Sequence, residues 1–142
     1  MYKHVLVAMD GSKESEKAFK KAIEICLVHE AHLSIAHVID IHTFAAMDSS
    51  SGLSLEIAEN YADELLLKFE QQALNANVKF VNKIMEFGSP KVLIAKNIAS
   101  KHNIDLIVCG ATGVNAIERI LIGSVSENIV RNASCDVLVV RK

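Results

Sequence analysis

The sequence predicts an α/β fold, a single doubly wound five-stranded parallel sheet with helices on both faces. Three patterns predict it. Short runs rich in Val, Ile and Leu recur along the chain, and near-continuous apolar runs are what strands buried on both faces require. Between these runs the apolar period changes to that of a helix. The resulting order, βαβαβαβαβ, calls for right-handed crossovers that fold each helix back onto a twisted sheet.

The strands are expected at 4–9 (HVLVAM), 32–39 (HLSIAHVI), 78–85 (VKFVNKIM), 104–109 (IDLIVC) and 137–140 (VLVV), with 78–85 alternating like a strand nearer an edge. The first helix carries Ala18, Phe19, Ala22, Ile23 and Cys26 in one stripe; the second carries Ala58, Tyr61, Ala62, Leu65, Phe69 and Ala73. A third begins where Ser89 can cap and Pro90 occupies the first turn, turns Leu93, Ile94, Ile98 and Ala99 inward, and stops near Asn103. The fourth opens at Ser124, where S-V-S-E through Glu127 reads as a capping box, and presents Val125, Ile129 and Val130. The one long connection, 40–52, is rich in Ser and reads equally as a flap or as a plain mobile loop.

Length and composition bound the function. The 142 residues fit one domain, 1–142. With 51% apolar and 23% charged residues, the chain can form a core without disulfides or metal. A net charge of -2 and scattered Lys and Arg argue against a nucleic-acid backbone as partner. Cys26, Cys109 and Cys135 stand singly with no CxxC pair, which fits neither a disulfide framework nor a zinc site. No apolar stretch approaches the ~18 residues needed to span a membrane. The single cysteines fit a reducing cytoplasm, and the N-terminal apolar run has no cleavage site behind it, so a cytosolic chain is expected.

In open parallel sheets ligands sit beyond the carboxyl ends of the strands, where strand order reverses. After the fourth strand the chain reads G-A-T-G-V-N-A-I-E-R-I-L-I-G-S, placing Gly110, Gly113, Gly123 and Ser124 at the spacing G-x2-G-x9-G-S. Glycines let backbone N–H groups approach phosphate oxygens, and a helix start at Ser124 adds free N–H donors and the positive end of a dipole. The hydroxyls of Ser124 and Ser126 add possible contacts, whereas Glu127 brings negative charge and is expected to point away or toward a metal's water. The bland alternative is that the glycines make turns and Ser124 only caps; the full spacing favours phosphate binding.

At the end of the first strand, Asp10 stands before a helix in V-A-M-D-G-S. Two readings stay open: a helix-start acid with Ser12 as cap, or a carboxylate that touches adenosine or orients a Mg²⁺ through water. There is no G-x-G-x-x-G, P-loop, H-E-x-x-H or G-x-S-x-G, so dinucleotide, P-loop ATPase, zincin and serine-hydrolase chemistry all lose support. Cys109 reads as an inert buried thiol.

Together V-A-M-D-G-S, H-V-I-D after the second strand, G-x2-G-x9-G-S-V-S-E and the closing V-L-V-V-R resemble the ATP-binding branch of the universal stress protein family over nearly the whole chain. The resemblance implies a sheet of order 3-2-1-4-5. It implies that Ala8, Met9 and Asp10 border the adenosine and that the Val38 backbone meets the adenine edge. Gly110, Gly113, Gly123, Ser124, Val125 and Ser126 would hold ribose and phosphates of ATP, AMP or another adenine nucleotide, with Mg²⁺. It also implies a homodimer through the last strand, Val137 to Val140. The chain departs from the family pattern at G-A-T-G, where many relatives have G-S-x-G, and at Asp136, where many have proline.

The expected function is a nucleotide-responsive regulator of stress adaptation with little or no turnover, read by an unknown protein partner. An alternative is a slow ATPase or a phosphoryl or nucleotidyl transferase, for which Arg119 is the nearby candidate cation. A further alternative is an interaction module with a vestigial site, against which the intact glycine spacing counts.

Overall fold

A computed structural model describes residues 1–41, 52–113 and 122–141. Strand β1, His4–Ala8, leads into helix α1, Lys13–His29. Strand β2, His32–Asp40, is followed by helix α2, Gly52–Asn75, and strand β3, Val81–Gly88. Helix α3 runs through three consecutive segments, Pro90–Val92, a π-helical turn at Leu93–Ile98, and Ala99–Lys101. Strand β4, Leu106–Gly110, helix α4, Ser124–Asn132, and strand β5, Asp136–Val140, complete the order.

The five strands lie in the order β3-β2-β1-β4-β5, every neighbouring pair parallel, as expected. Residues of β1 alternate between the two faces. Val5 and Val7 join Phe19, Ala22 and Cys26 of α1 and Leu66, Phe69 and Ala73 of α2. Leu6 joins Ile94, Ile98 and Ala99 of α3 and Ile129 of α4. Burial on both faces is why the central strands are apolar at successive positions. The rings of Phe19 and Phe69 meet edge-on at 4.8 Å and join α1 to α2.

Several local expectations shift. Strand β3 begins at Val81, three residues later than the apolar run at Val78 suggests. Asn77 takes the left-handed conformation, φ 75°, and the Val78 N–H bonds to the Ala73 carbonyl. Val78 is therefore the buried hydrophobic plug behind the end of α2. In α2 the stripe rotates slightly: Leu66 is buried, Leu65 is half-buried and Tyr61 is 49% exposed. Ser89 stands at the cap position of α3 with Pro90 behind it, but its side chain makes no capping bond. Val130 is exposed and Val125 half-buried, so Ile129 anchors α4.

The capping box also needs correction. The N-cap of α4 is Gly123, not Ser124, and Ser124 is an exposed first helical residue. Ser126 bonds instead to the loop after β4, and Glu127 pairs with Arg131 one turn on at 2.8 Å. A tertiary acceptor for Ser126 and an i,i+4 cation for Glu127 replace the reciprocal cap.

Candidate functional site

The chain passes from β1 outward to β2 and β3, then crosses back to β4 and β5. Strand order thus reverses between β1 and β4, and the carboxyl ends of strands at such a reversal are where open parallel sheets form their ligand crevice. Asp10 and the segment Gly110 to Gly113 lie there.

The loop leaving β1 is held by its own hydrogen bonds. The Met9 N–H extends the pairing with β2 by donating to the Ala36 carbonyl at 2.8 Å. Asp10 Oδ1 accepts from the Ser12 N–H at 2.9 Å and from the Ser12 hydroxyl. Ser12 Oγ in turn accepts from the Ser15 N–H at 3.1 Å and caps α1. The two readings of Asp10 are therefore compatible. Ser12 caps the helix, while Oδ1 steadies Ser12 and the carboxylate still reaches the crevice.

Gly113 shows that reach. A Cβ built on it would stand 2.6 Å from Asp10 Oδ2, so a side chain at 113 would push the carboxylate out of this position. Gly110 has a different cause. A Cβ there would come within 2.9 Å of the Glu14 backbone, so its missing side chain is explained by the packing of β4 against α1. Gly123 has a common extended conformation, φ -80° and ψ 167°, and a methyl group there would meet nothing nearer than 3.4 Å. The protein itself does not demand glycine at 123.

The start of α4 is clamped to the first loop. The Ala111 carbonyl accepts from the Gly123 N–H at 2.5 Å and from the Ser126 hydroxyl at 2.8 Å. Ser126 is buried, and its hydroxyl serves this clamp. The Glu127 N–H donates to the Gly123 carbonyl at 3.0 Å, so the N–H groups of Ser124, Val125 and Ser126 precede the helical ladder. Such a terminus favours an anion, and Ser124 adds an exposed hydroxyl.

Val38 stands two residues past Ala36, the last register partner of β1, and its buried side chain packs on the α3 side of the sheet. Ala8 ends β1 and Met9 follows it. The site residues named from the sequence thus fall on the end of β1 and the loop after it, on β2 at Val38, on the end of β4 and the loop after it, and on the first turn of α4 with its cap Gly123. Arg119 and most of the 40–52 connection lie outside the described residues.

Three contributors were not visible from spacing. His37 Nδ1 lies 2.7 Å from the Met9 carbonyl. Tyr61 reaches from α2 so that its hydroxyl lies against Gly11, which has φ 86°. Ser15 bonds through its hydroxyl to the Ser12 carbonyl at 2.9 Å. His37 and Tyr61 come from separate elements, so only the tertiary arrangement relates them to this loop, whereas the Ser15 bond is local to the first turn of α1.

Among the described residues, no group of three His, Cys, Asp or Glu side chains could hold a metal ion directly, and no helix is long and apolar enough to cross a membrane. Burial pushes the Cys109 thiol up to about 11, which agrees with an inert role.

The universal stress protein family model matches residues 1–141. A Staphylococcus saprophyticus protein named as a putative universal stress protein is 46% identical over 140 residues, covering 99% of this chain and 84% of its own. The universal stress protein UspA from Lactobacillus plantarum superposes with a TM-score of 0.86 at 29% identity, over 99% of this chain and 98% of that one. A universal stress protein solved in complex with cAMP gives a TM-score of 0.75 at 26% identity, over 99% and 97% of the two chains.

Proposed function

This chain belongs to the universal stress protein family, and from that premise we propose that it binds an adenine nucleotide, ATP in the first instance, and acts as a nucleotide-responsive regulator of stress adaptation with little or no turnover. The observation that carries this reading is the meeting of Asp10 and Gly113 at the reversal of strand order, beside the amino end of α4. A carboxylate there suits ribose or base donors, and N–H groups there suit phosphates. The similar fold bound to cAMP supports the ligand class.

In this reading Ala8, Met9 and Asp10 border the adenosine and the Val38 backbone meets the adenine edge. Gly110, Gly113 and Gly123 give the backbone access, and the N–H groups of Ser124, Val125 and Ser126 hold phosphates with the Ser124 hydroxyl. Ser126 contributes by its backbone, since its hydroxyl bonds to Ala111. Asp10 would reach a nucleotide-bound Mg²⁺ through water, since Mg²⁺ held by phosphates keeps several of its waters.

Regulation follows from linkage. A ligand that joins the loops after β1 and β4 stabilises the conformation it binds, and a partner can read that conformation. The half-exposed edge strand β5, Val137 to Val140, would pair two copies. The cytoplasm is the proposed compartment. Thermal unfolding with increasing ATP tests binding: the reading requires a Tm that rises with ligand concentration, and a constant Tm up to millimolar ATP would contradict it.

A further inference from the structure

The loop from Met9 to Gly11 is held on two sides. On one side Asp10 faces Gly113. On the other, His37 of β2 meets the Met9 carbonyl at 2.7 Å, and because a carbonyl can only accept, Nδ1 carries the proton. The Tyr61 ring stands edge-on to His37 at 6.0 Å, and its hydroxyl lies against Gly11. Tyr61 is 49% exposed between Ala58 and Ala62, which are 8% and 0% exposed. It therefore serves the loop more than the core.

We propose that His37 and Tyr61 are positioning residues of the nucleotide site, holding Met9 to Gly11 so that Asp10 meets its ligand, and that they thereby couple α2 to the occupant. This rests on the nucleotide reading above. His37 fixes the peptide before Asp10, and Tyr61 blocks movement of the peptide after it. Because Tyr61 lies against Gly11, an occupant that moves the Met9 to Gly11 loop toward α2 presses on Tyr61, and the coupling is reciprocal: whatever holds α2 alters the affinity for nucleotide.

The contact can be tested by exchanging volumes. A methyl on Gly11 overlaps the Tyr61 hydroxyl, but the next ring atom, Cζ, lies at 3.4 Å, an ordinary contact. Gly11→Ala should weaken ATP binding by about tenfold, and adding Tyr61→Phe should recover at least about threefold of it. The backbone strain of alanine at φ 86° is common to both variants and cancels. His37→Ala should lose about fivefold, whereas His37→Asn, which keeps an N–H donor near the Nδ1 position, should stay within about twofold of the unmodified protein. The Tm of each ligand-free variant separates these effects from general unfolding. Hydrogen exchange supplies a second readout: ATP should slow exchange of amides 57–64 in the unmodified protein and less so in Tyr61→Phe.

Recovery in the double variant with rescue by asparagine supports the proposal. Binding in which Gly11→Ala and Tyr61→Phe are simply additive, or in which both His37 variants behave alike, overturns it while leaving the nucleotide reading intact. Absence of any adenine-nucleotide binding by the unmodified protein overturns both.

Discussion

A methyl group on Gly113 would stand 2.6 Å from Oδ2 of Asp10, so the carboxylate at the end of β1 is seated against the loop that follows β4. Residues 103 positions apart in sequence are thereby brought to one crevice. The obstruction is one flexible carboxylate and not backbone. Gly113→Val should therefore displace Asp10 and weaken nucleotide binding by more than about tenfold, while chemical denaturation shows a loss below about 1.5 kcal/mol.

Gly123 offers the complementary case. Its conformation is ordinary and a Cβ would find normal contacts at 3.4 Å, so Gly123→Ala should fold with nearly unchanged stability. If phosphate packs on this backbone, the same methyl should weaken ATP binding by about fivefold or more, and Gly123→Val by more than that. Paired denaturation and binding curves separate the two effects. Gly110→Ala should behave oppositely, with a stability loss of about 1–3 kcal/mol from its approach to the Glu14 backbone.

The two serines of α4 should also separate. Ser126→Ala removes a buried hydrogen bond to the Ala111 carbonyl and should cost about 1 kcal/mol in urea unfolding. Ser124→Ala removes an exposed hydroxyl and should leave stability within about 0.5 kcal/mol, with its effect confined to ATP affinity.

Burial raises the Cys26 thiol to about 12 and the Cys109 thiol to about 11, from an ordinary 9.0. Native thiols therefore hold their protons at pH values where unfolded ones release them. Their contribution to stability is complete below about pH 9 and is lost as pH rises toward 11 and 12. A Cys26→Val/Cys109→Val variant should lose less stability between pH 8 and 10.5 than the unmodified protein. At pH 8, alkylation should reach half-buried Cys135 first, with Cys26 and Cys109 reacting on the timescale of unfolding.

The architecture was legible because apolar runs and helical stripes report burial directly. Val5, Val7, Ala22 and Phe69 are where their periods put them. Boundaries were less legible, because a hydrophobic residue can plug a helix end as well as start a strand, as Val78 does. At the site, Asp10 and the G-x2-G-x9-G-S spacing could be read from the sequence. The spacing could not distinguish Gly110, where β4 packs on α1, from Gly113, which faces Asp10, since both look alike as letters. Ser124 and Ser126 were similarly ambiguous, because an acceptor supplied by Ala111 decides which hydroxyl is used. His37 and Tyr61 carry no local signature; it is the packing of α2 against β2 that sets Tyr61 beside His37 and against Gly11 in the loop after β1.

The most direct test of the central claim is calorimetric titration of ligand-free protein with ATP, AMP and cyclic AMP, with and without Mg²⁺, beside a phosphate-release assay. The predicted result is saturable binding of at least one of these nucleotides, strongly weakened in Gly113→Val, with negligible phosphate release. No heat of binding with any of the three would contradict the nucleotide site, and rapid phosphate release would replace the regulator with an enzyme.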